Sequence, residues 1–488
     1  MTSTSPNINR WRAFALLAVS YFMTIIDLTI VNVSLPTIGR DLHFTETSLQ
    51  WVVTAYAITF GGFLLLGGRA ADLLGRRRVL MLGLALFTVA SLACALATGE
   101  GFLIGSRAVQ GVGAAIMVPA ALSLVMTMFE EGTERNTALG IWGALAAAGA
   151  SVGLIAGGLL TRYAGWQYIF YLNVPIGTAA LTLAPRLVPD SRLATDRRRF
   201  DALGAIAGTG GLVLLVDAVA TAPQYGWGAT RTMALLVGAA ALLAAFAAIE
   251  SRAKEPLLPL SIFRLRTLAS ANIAGLLSGG SFYGFIFVGT LYMQQVLHYS
   301  ALQTGVAWLA TSLSSIALAG LSQRLVTGRG AKLVMTIGVT LIGAGVIWAS
   351  QAPVHGHFVA NLVGPMVIAG AGTAFAFIPI SIAALDGVAE HQAGLASGLL
   401  NTSRQLGGAL GIAIASSVAT GHTNTLLHAG HALPAALADG FDQALWVLGA
   451  IALLALPAIL ALVRGDRRSH TVAKTATREA QTAAASTS

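Results

Sequence analysis

One cysteine in 488 residues, Cys94 inside an apolar run, excludes disulfides within the chain, CxxC redox chemistry and thiolate metal sites. Charge is also scarce. Asp, Glu, Lys and Arg together make up 10% of the chain against 56% hydrophobic residues, which leaves too little polar side chain to coat a water-soluble globule. No glycine-lysine pair occurs, because Lys254, Lys332 and Lys474 each follow alanine, so a phosphate-binding loop and an ATP-driven pump are ruled out. None of the nine histidines lies deep in an apolar run, and the runs hold no clustered nucleophile, base and metal set of the kind an intramembrane enzyme needs. His422, His428 and His431 fall together near one loop, but no acid is spaced to complete a metal site, and none is expected. Period-two alternation is missing too, which excludes a β-barrel.

What the chain has instead is a succession of apolar runs from Phe14 to Val463, each long enough to cross about 30 Å of hydrocarbon, and 55 glycines of the kind that let membrane helices pack closely. Counting runs between Pro, Gly or charged breaks predicts fourteen spans in an all-α membrane protein. The expected layout is a polar tail at 1–11, a six-helix bundle over 12–191, basic linkers with two inserted spans over 192–266, a second six-helix bundle over 267–463 and a disordered tail over 464–488. The first run is too long for a removed signal peptide and lacks a cleavage site. The formal charge of +9 reports orientation rather than a nucleic-acid partner: with the amino terminus in the cytoplasm, the outer loops hold only Arg40, Arg162 and Arg231. An even number of spans then leaves both termini inside.

Six plus two plus six suggests a duplicated bundle. The stretch from Leu103 to Gly113 lines up without a gap against Leu362 to Gly372, so that Gly105, Gly111 and Gly113 meet Gly364, Gly370 and Gly372. Pro119 and Pro379 follow, one residue out of step. The same alignment puts Met366 opposite Arg107, which singles out the arginine as function rather than scaffold.

Asp27 is the residue whose placement most needs a reason, since a carboxylate inside an apolar span costs several kcal/mol unless it finds a cation or a proton. It lies nine residues before Pro36 and Arg107 about seven residues into the fourth span, so their depths of roughly 13 and 10 Å match. The alternatives are a structural carboxylate permanently paired with an arginine, and an arginine bonded to helix carbonyls. Asp217, near the outer end of the seventh span, reads as interfacial. Between the second and third spans, Gly68 and Gly75 permit tight backbone approach while Asp72 faces Arg76, Arg77 and Arg78, a cluster able to lock one packing of two helices and release another. In the fifth span Gly149, Gly153 and Gly157 recur every four residues, with Gly158 adjacent, along one close-packing face. Gly407 and Gly411 repeat the stripe in the thirteenth span. Tyr21, Trp142 and Tyr283 are the aromatic candidates for a substrate cavity.

Together these residues resemble the major facilitator superfamily, specifically its fourteen-span drug:proton antiporter group. Gly68 to Leu80 is similar to the superfamily's signature loop, Arg107 with Gly111 and Gly113 to a fourth-span motif linked to proton coupling, and Asp27 to Pro36 to the first-span motif of the fourteen-span exporters. Trp166 to Gly177, with Phe170, Asn173 and Pro175, resembles the start of their sixth span. One departure stands out: the fifth-span motif usually carries a proline where this chain has Leu154. The resemblance implies two six-helix bundles plus two inserted helices. It further implies that Asp27 is protonated during exchange, that Arg107 tunes it, and that Asp72 with Arg76 stabilises the outward-facing packing. The expected function is proton-coupled export of hydrophobic or amphipathic, neutral or monocationic drugs across a bacterial cytoplasmic membrane. The protein would act as a monomer in the lipid bilayer, with protons as coupling ion and no other cofactor. A metabolite exporter, an importer or a non-transporting sensor on the same scaffold are the alternatives.

Overall fold

The computed structural model describes residues 10–129, 133–189, 202–252, 262, 264–388 and 393–463; both terminal tails and most of the two basic linkers lie outside the described residues. Among the described residues the regular structure is entirely helical. The first bundle contains α1 (Arg10–Asp41), α2 (Trp51–Leu74), α3 (Arg76–Ala95), α4 (Glu100–Met128), α5 (Thr133–Tyr163) and α6 (Tyr168–Leu187). An inserted hairpin follows, α7 (Ala202–Tyr225) and α8 (Thr230–Arg252). The second bundle contains α9 (Arg266–Val296), α10 (Ala301–Arg329), α11 (Ala331–Ala349), α12 (Phe358–Leu385), α13 (Ala393–His428) and α14 (Leu433–Leu462). Ten of the helices among the described residues are long and apolar enough to cross a membrane.

Two boundaries differ from the sequence reading. Pro36 does not end α1, which continues to Asp41, because a proline removes only one helical bond and an end turn tolerates the loss. The last helix starts at Leu433, ahead of the unbroken apolar run that follows Gln443, with a proline in its first turn. That places Asp439 and Asp442 within the helix.

The two bundles repeat each other contact by contact. Gly111 of α4 lies on Tyr56 and Thr59 of α2, and Gly370 of α12 lies on Thr311 and Ser314 of α10; a side chain at either glycine would collide with the neighbouring helix. Gly113 meets Gly83 and Phe87 of α3, while Gly372 meets Gly338 and Ile342 of α11. The links between α2 and α3 and between α10 and α11 both turn at a glycine with positive φ, Gly75 at 95° and Gly330 at 87°. Arg77 then donates from Nη1 to the carbonyls of Val188 (3.2 Å) and Pro185 (3.4 Å) at the end of α6, and Lys332 donates from Nζ to Leu460 O (2.6 Å) at the end of α14. In each bundle, a basic residue just past the glycine turn satisfies carbonyls that the last helix leaves open.

The bundles meet near the ends of α1, α5 and α9 and the start of α10. Gln294 Nε2 donates to Val33 O (2.8 Å), Gly158 lies against the backbone of Ala301 and Leu302, and Gly305 lies against Leu154 O. Nearer mid-length, Thr402 Oγ1 donates to Gly61 O (3.0 Å). The inserted hairpin lies over this second junction: Val216 and Ala220 of α7 share one apolar cluster with Ala57 and Ile58 of α2 and Ala409 and Ala413 of α13. Thr209 of α7 fills the space left by Gly62.

Candidate functional site

Asp27 and Arg107 form an ion pair of 2.5 Å, with both side chains fully buried. Asp27 Oδ2 accepts from Arg107 Nη1, and Oδ1 accepts from Gln110 Nε2 and Asn173 Nδ2, each at 2.8 Å. Three donors thus converge on one carboxylate. Gln110 stands one helical turn from Arg107, which puts both on the α4 face toward α1. Its Oε1 accepts from Arg107 Nη1 (2.6 Å), and its Nε2 also donates to Ser91 Oγ of α3 (2.8 Å). Arg107 Nε donates to Val52 O (2.8 Å), and the guanidinium lies 4.4 Å from the Tyr56 ring centre and 5.7 Å from that of Phe170. Arg107 Nη2 and the Tyr56 hydroxyl are buried without partners, so the cluster is not saturated.

The charge pair has no equivalent in the second bundle. Gly153 and Gly157 of α5 pack on the carbonyls of Ile26 and Ile30, as Gly407 and Gly411 of α13 pack on those of Leu276 and Gly280. This common register sets Leu277 opposite Asp27, and the α4 repeat sets the buried Met366 opposite Arg107. One half of a duplicated scaffold therefore holds a buried carboxylate and arginine where the other holds leucine and methionine.

The three aromatic candidates converge about 9 Å along α1 from Asp27. Tyr21 and Trp142 stack with ring centres 4.2 Å apart and planes 10° from parallel, and Tyr283 of α9 packs against the same cluster. Arg404 of α13 lies within electrostatic reach of both tyrosines.

The sequence profile described as Major Facilitator Superfamily matches residues 17–412. The chain belongs to that superfamily. It is 38% identical over 476 residues to the puromycin resistance protein pur8 of Streptomyces alboniger, covering 96% of this chain and 94% of the relative. It is 37% identical to the cephamycin export protein CmcT of Amycolatopsis lactamdurans, over 85% of this chain and 86% of that one. The multidrug resistance protein Stp of Mycobacterium tuberculosis is 34% identical, over 84% of this chain and 76% of its own. Among solved structures, a bacterial homolog of the human lysosomal transporter Spinster superposes with a TM-score of 0.65 at 14% identity, covering 93% and 97% of the two chains. A POT peptide transporter in complex with sulfate gives 0.65 at 18% identity, over 93% and 96%. The protein is a multi-pass membrane transporter of the major facilitator fold, not an enzyme, and the three relatives above are named as drug resistance or export proteins.

On this major facilitator scaffold, the stretch from Trp166 to Gly177 serves the carboxylate site directly. Asn173 bonds Asp27, Phe170 faces Arg107, Gly177 admits Thr88 of α3, and Trp166 Nε1 donates to Asp41 Oδ2 (3.0 Å) at the end of α1. The glycine stripe behaves as its spacing predicts: Gly149, Gly153 and Gly157 all face α1, while Gly158 faces the other bundle. With Leu154 in place of the family's proline, α5 runs unbroken from Thr133 to Tyr163, and Leu154 O receives Gly305 of α10.

The signature loop departs from expectation at one glycine. A Cβ at Gly68 would make only ordinary contact with Pro119 (3.6 Å), whereas one at Gly67 would collide with Ala115 O of α4. The close approach is therefore at Gly67, because the face turned to α4 is set by helix rotation and not by the loop pattern. Gly75 is the turn itself, Arg76 is buried and Arg77 holds the end of α6. Asp72 lies in the last turns of α2, and its side chain lies outside the described residues. Asp217 is half-buried and 3.9 Å from Arg231 at the start of α8.

Sequence reasoning missed Gln110, whose signal was its one-turn spacing from Arg107, and Arg404, whose signal was a charge inside an apolar run, three residues before Gly407.

Proposed function

We propose that the protein is a proton-coupled antiporter of the fourteen-span group that exports amphipathic, largely hydrophobic organic compounds across the bacterial cytoplasmic membrane, acting as a monomer with both termini inside. The observation that carries this reading is the ion pair present in only one of two otherwise repeated bundles. Packing alone needs no charge there, since Leu277 and Met366 fill the equivalent places.

Protonating Asp27 removes the charge that Arg107, Gln110 and Asn173 satisfy, so the protonated site favours a different packing of α1 against α4 and α6. With the amino terminus inside, the contacts between bundles at Val33, Gly158 and Gly305 lie toward the outer face, which supports reading this as an inward-facing state with Asp27 sealed. Exchange then requires the α1–α5 contact to shift until the carboxylate meets outside water. The signature loop, with Asp72 and Arg76, stabilises the outward-facing packing. Each proton moving inward releases about 2.3 kcal/mol per 100 mV, which drives the solute the other way. The names of the relatives, which include puromycin resistance and cephamycin export, support organic antibiotics as the substrate class.

A preference for neutral or singly cationic substrates needs an acid in the central cleft. Asp27 is sealed inside the first bundle instead, so that ground is absent.

Asp27→Asn in proteoliposomes with an imposed pH gradient tests the assignment. Efflux uncoupled from the gradient, with the protein still monodisperse, is the expected result; gradient-driven efflux at the wild-type rate overturns it.

A further inference from the structure

Arg107 has a carboxylate; Arg404 has none among the described residues. Arg404 stands eleven residues into α13 (393 to 404), about 16 Å from the helix start, where an unpaired cation is costly. Its Nη2 donates to Phe377 O (2.8 Å) and Ser381 Oγ (3.0 Å) of α12, and its guanidinium lies 4.8 Å from the Phe377 ring centre. These partners are neutral, and Nε is buried with no acceptor. Helices α9, α12 and α13 contain no Asp or Glu, and of the two acids of α1, Asp27 is committed to Arg107 and Asp41, at the far end of the helix, to Trp166. Electroneutrality at this depth therefore calls for an anion from outside the chain.

The surroundings specify what kind. Tyr283 lies on Gly408, one turn beyond Arg404, where any side chain would displace its ring. Phe282 meets Phe377 edge to face at 5.9 Å, and across the junction stand the stacked Tyr21 and Trp142. Tyr21, Tyr283 and Arg404 are each only half-buried although they sit at mid-length between the bundles, so they border a cleft and not a packed core. Flat apolar rings around one guanidinium suit a planar hydrophobic body that carries a single carboxylate.

We propose that Arg404 is the anion-recognising group of the substrate cleft, taking the carboxylate of an amphipathic aromatic compound whose ring system lies against Tyr21, Trp142 and Tyr283. The assignment rests on the transporter reading above and narrows its substrate class to organic monoanions. Arg404 is a specificity residue here, separate from the Asp27 coupling site.

Binding is measured with the full chain in nanodiscs of neutral lipid, by tryptophan-to-pyrene energy transfer, with three probes: 1-pyrenebutanoate, its methyl ester and 1-pyrenemethylammonium. Wild type is expected to bind the carboxylate about tenfold more tightly than the ester or the ammonium. Arg404→Gln is expected to erase that preference and leave ester binding unchanged, and Arg404→Lys to keep most of it. Equal wild-type affinity for all three probes overturns the proposal without any variant. Arg404→Gln weakening ester and carboxylate alike also overturns it, because that is what a purely structural arginine holding α12 would do. A parallel assay follows the same probes in proteoliposomes under a pH gradient. Failure of wild type to move any of them under the gradient sinks the antiporter reading, while the binding comparison still judges Arg404.

Discussion

Asp27 and Arg107, 80 residues apart in sequence, close a 2.5 Å ion pair with neither side chain exposed, where the second bundle has Leu277 and Met366. Buried pairs of this kind contribute little net stability, because desolvation offsets most of the attraction. What they impose is a large penalty for losing one partner. That asymmetry suits a switch operated by a single proton.

The second bundle suggests a way to separate stability from coupling. Arg107→Met leaves a buried carboxylate uncompensated and is expected to lose about 3–5 kcal/mol, whereas Asp27→Leu combined with Arg107→Met copies the Leu277 and Met366 arrangement and is expected to stay within about 1–2 kcal/mol of wild type. Denaturant or thermal unfolding in detergent measures both. Neither variant should couple transport to a pH gradient, so a double variant that is stable and still gradient-driven would contradict the role given to the pair.

Gly158 and Gly305 hold the bundles together at one end, each against backbone of the opposite bundle. Gly158→Ala should wedge that end open. In a Cys94→Ser background, a cysteine at position 302 should react faster with a membrane-impermeant maleimide when Gly158→Ala is present, and Gly153→Ala, whose clash is with α1 inside the first bundle, should not speed it.

In the signature loop, Gly67→Ala meets Ala115 backbone and is expected to cost about 1–3 kcal/mol, while Gly68→Ala should stay within about 0.5 kcal/mol of wild type. Gly75→Ala places a side chain at a φ of 95° and should cost about 1–3 kcal/mol through backbone strain. Unfolding midpoints rank the three, and an equal effect at Gly67 and Gly68 would mean α2 is rotated from the position described.

Arg77 and Lys332 each hold the final carbonyls of their bundle's last helix. Arg77→Gln should raise amide hydrogen exchange over residues 185–188 and Lys332→Gln over 460–462, each without changing the other site. Cross-effects between the two would argue against independent, repeated bundles.

Much of this was legible in the chain itself. The matched depths of Asp27 and Arg107 anticipated their contact, four-residue spacing anticipated the α5 face toward α1, and the ungapped repeat anticipated the glycine contacts of α4 and α12. Depth and periodicity are local quantities, and a helix converts them directly into position. What the sequence withheld depends on rotation about a helix axis or on elements distant in the chain. Gly67 rather than Gly68 faces α4 by one step of that rotation. Asp27 is sealed within its bundle, not lining the cleft, because α3 and α6 bring Ser91 and Asn173 around it. Arg404 shows no acid nearby only once α9, α12 and α1 are seen to surround it.

The inserted hairpin has a further consequence for how lipophilic compounds reach the centre. Since α7 spans α2 and α13 together, that flank of the molecule is roofed against the surrounding acyl chains, while α5 and α10 carry no such cover among the described residues. Were a solute to enter sideways from the leaflet, α7 would block it on the flank of α2 and α13.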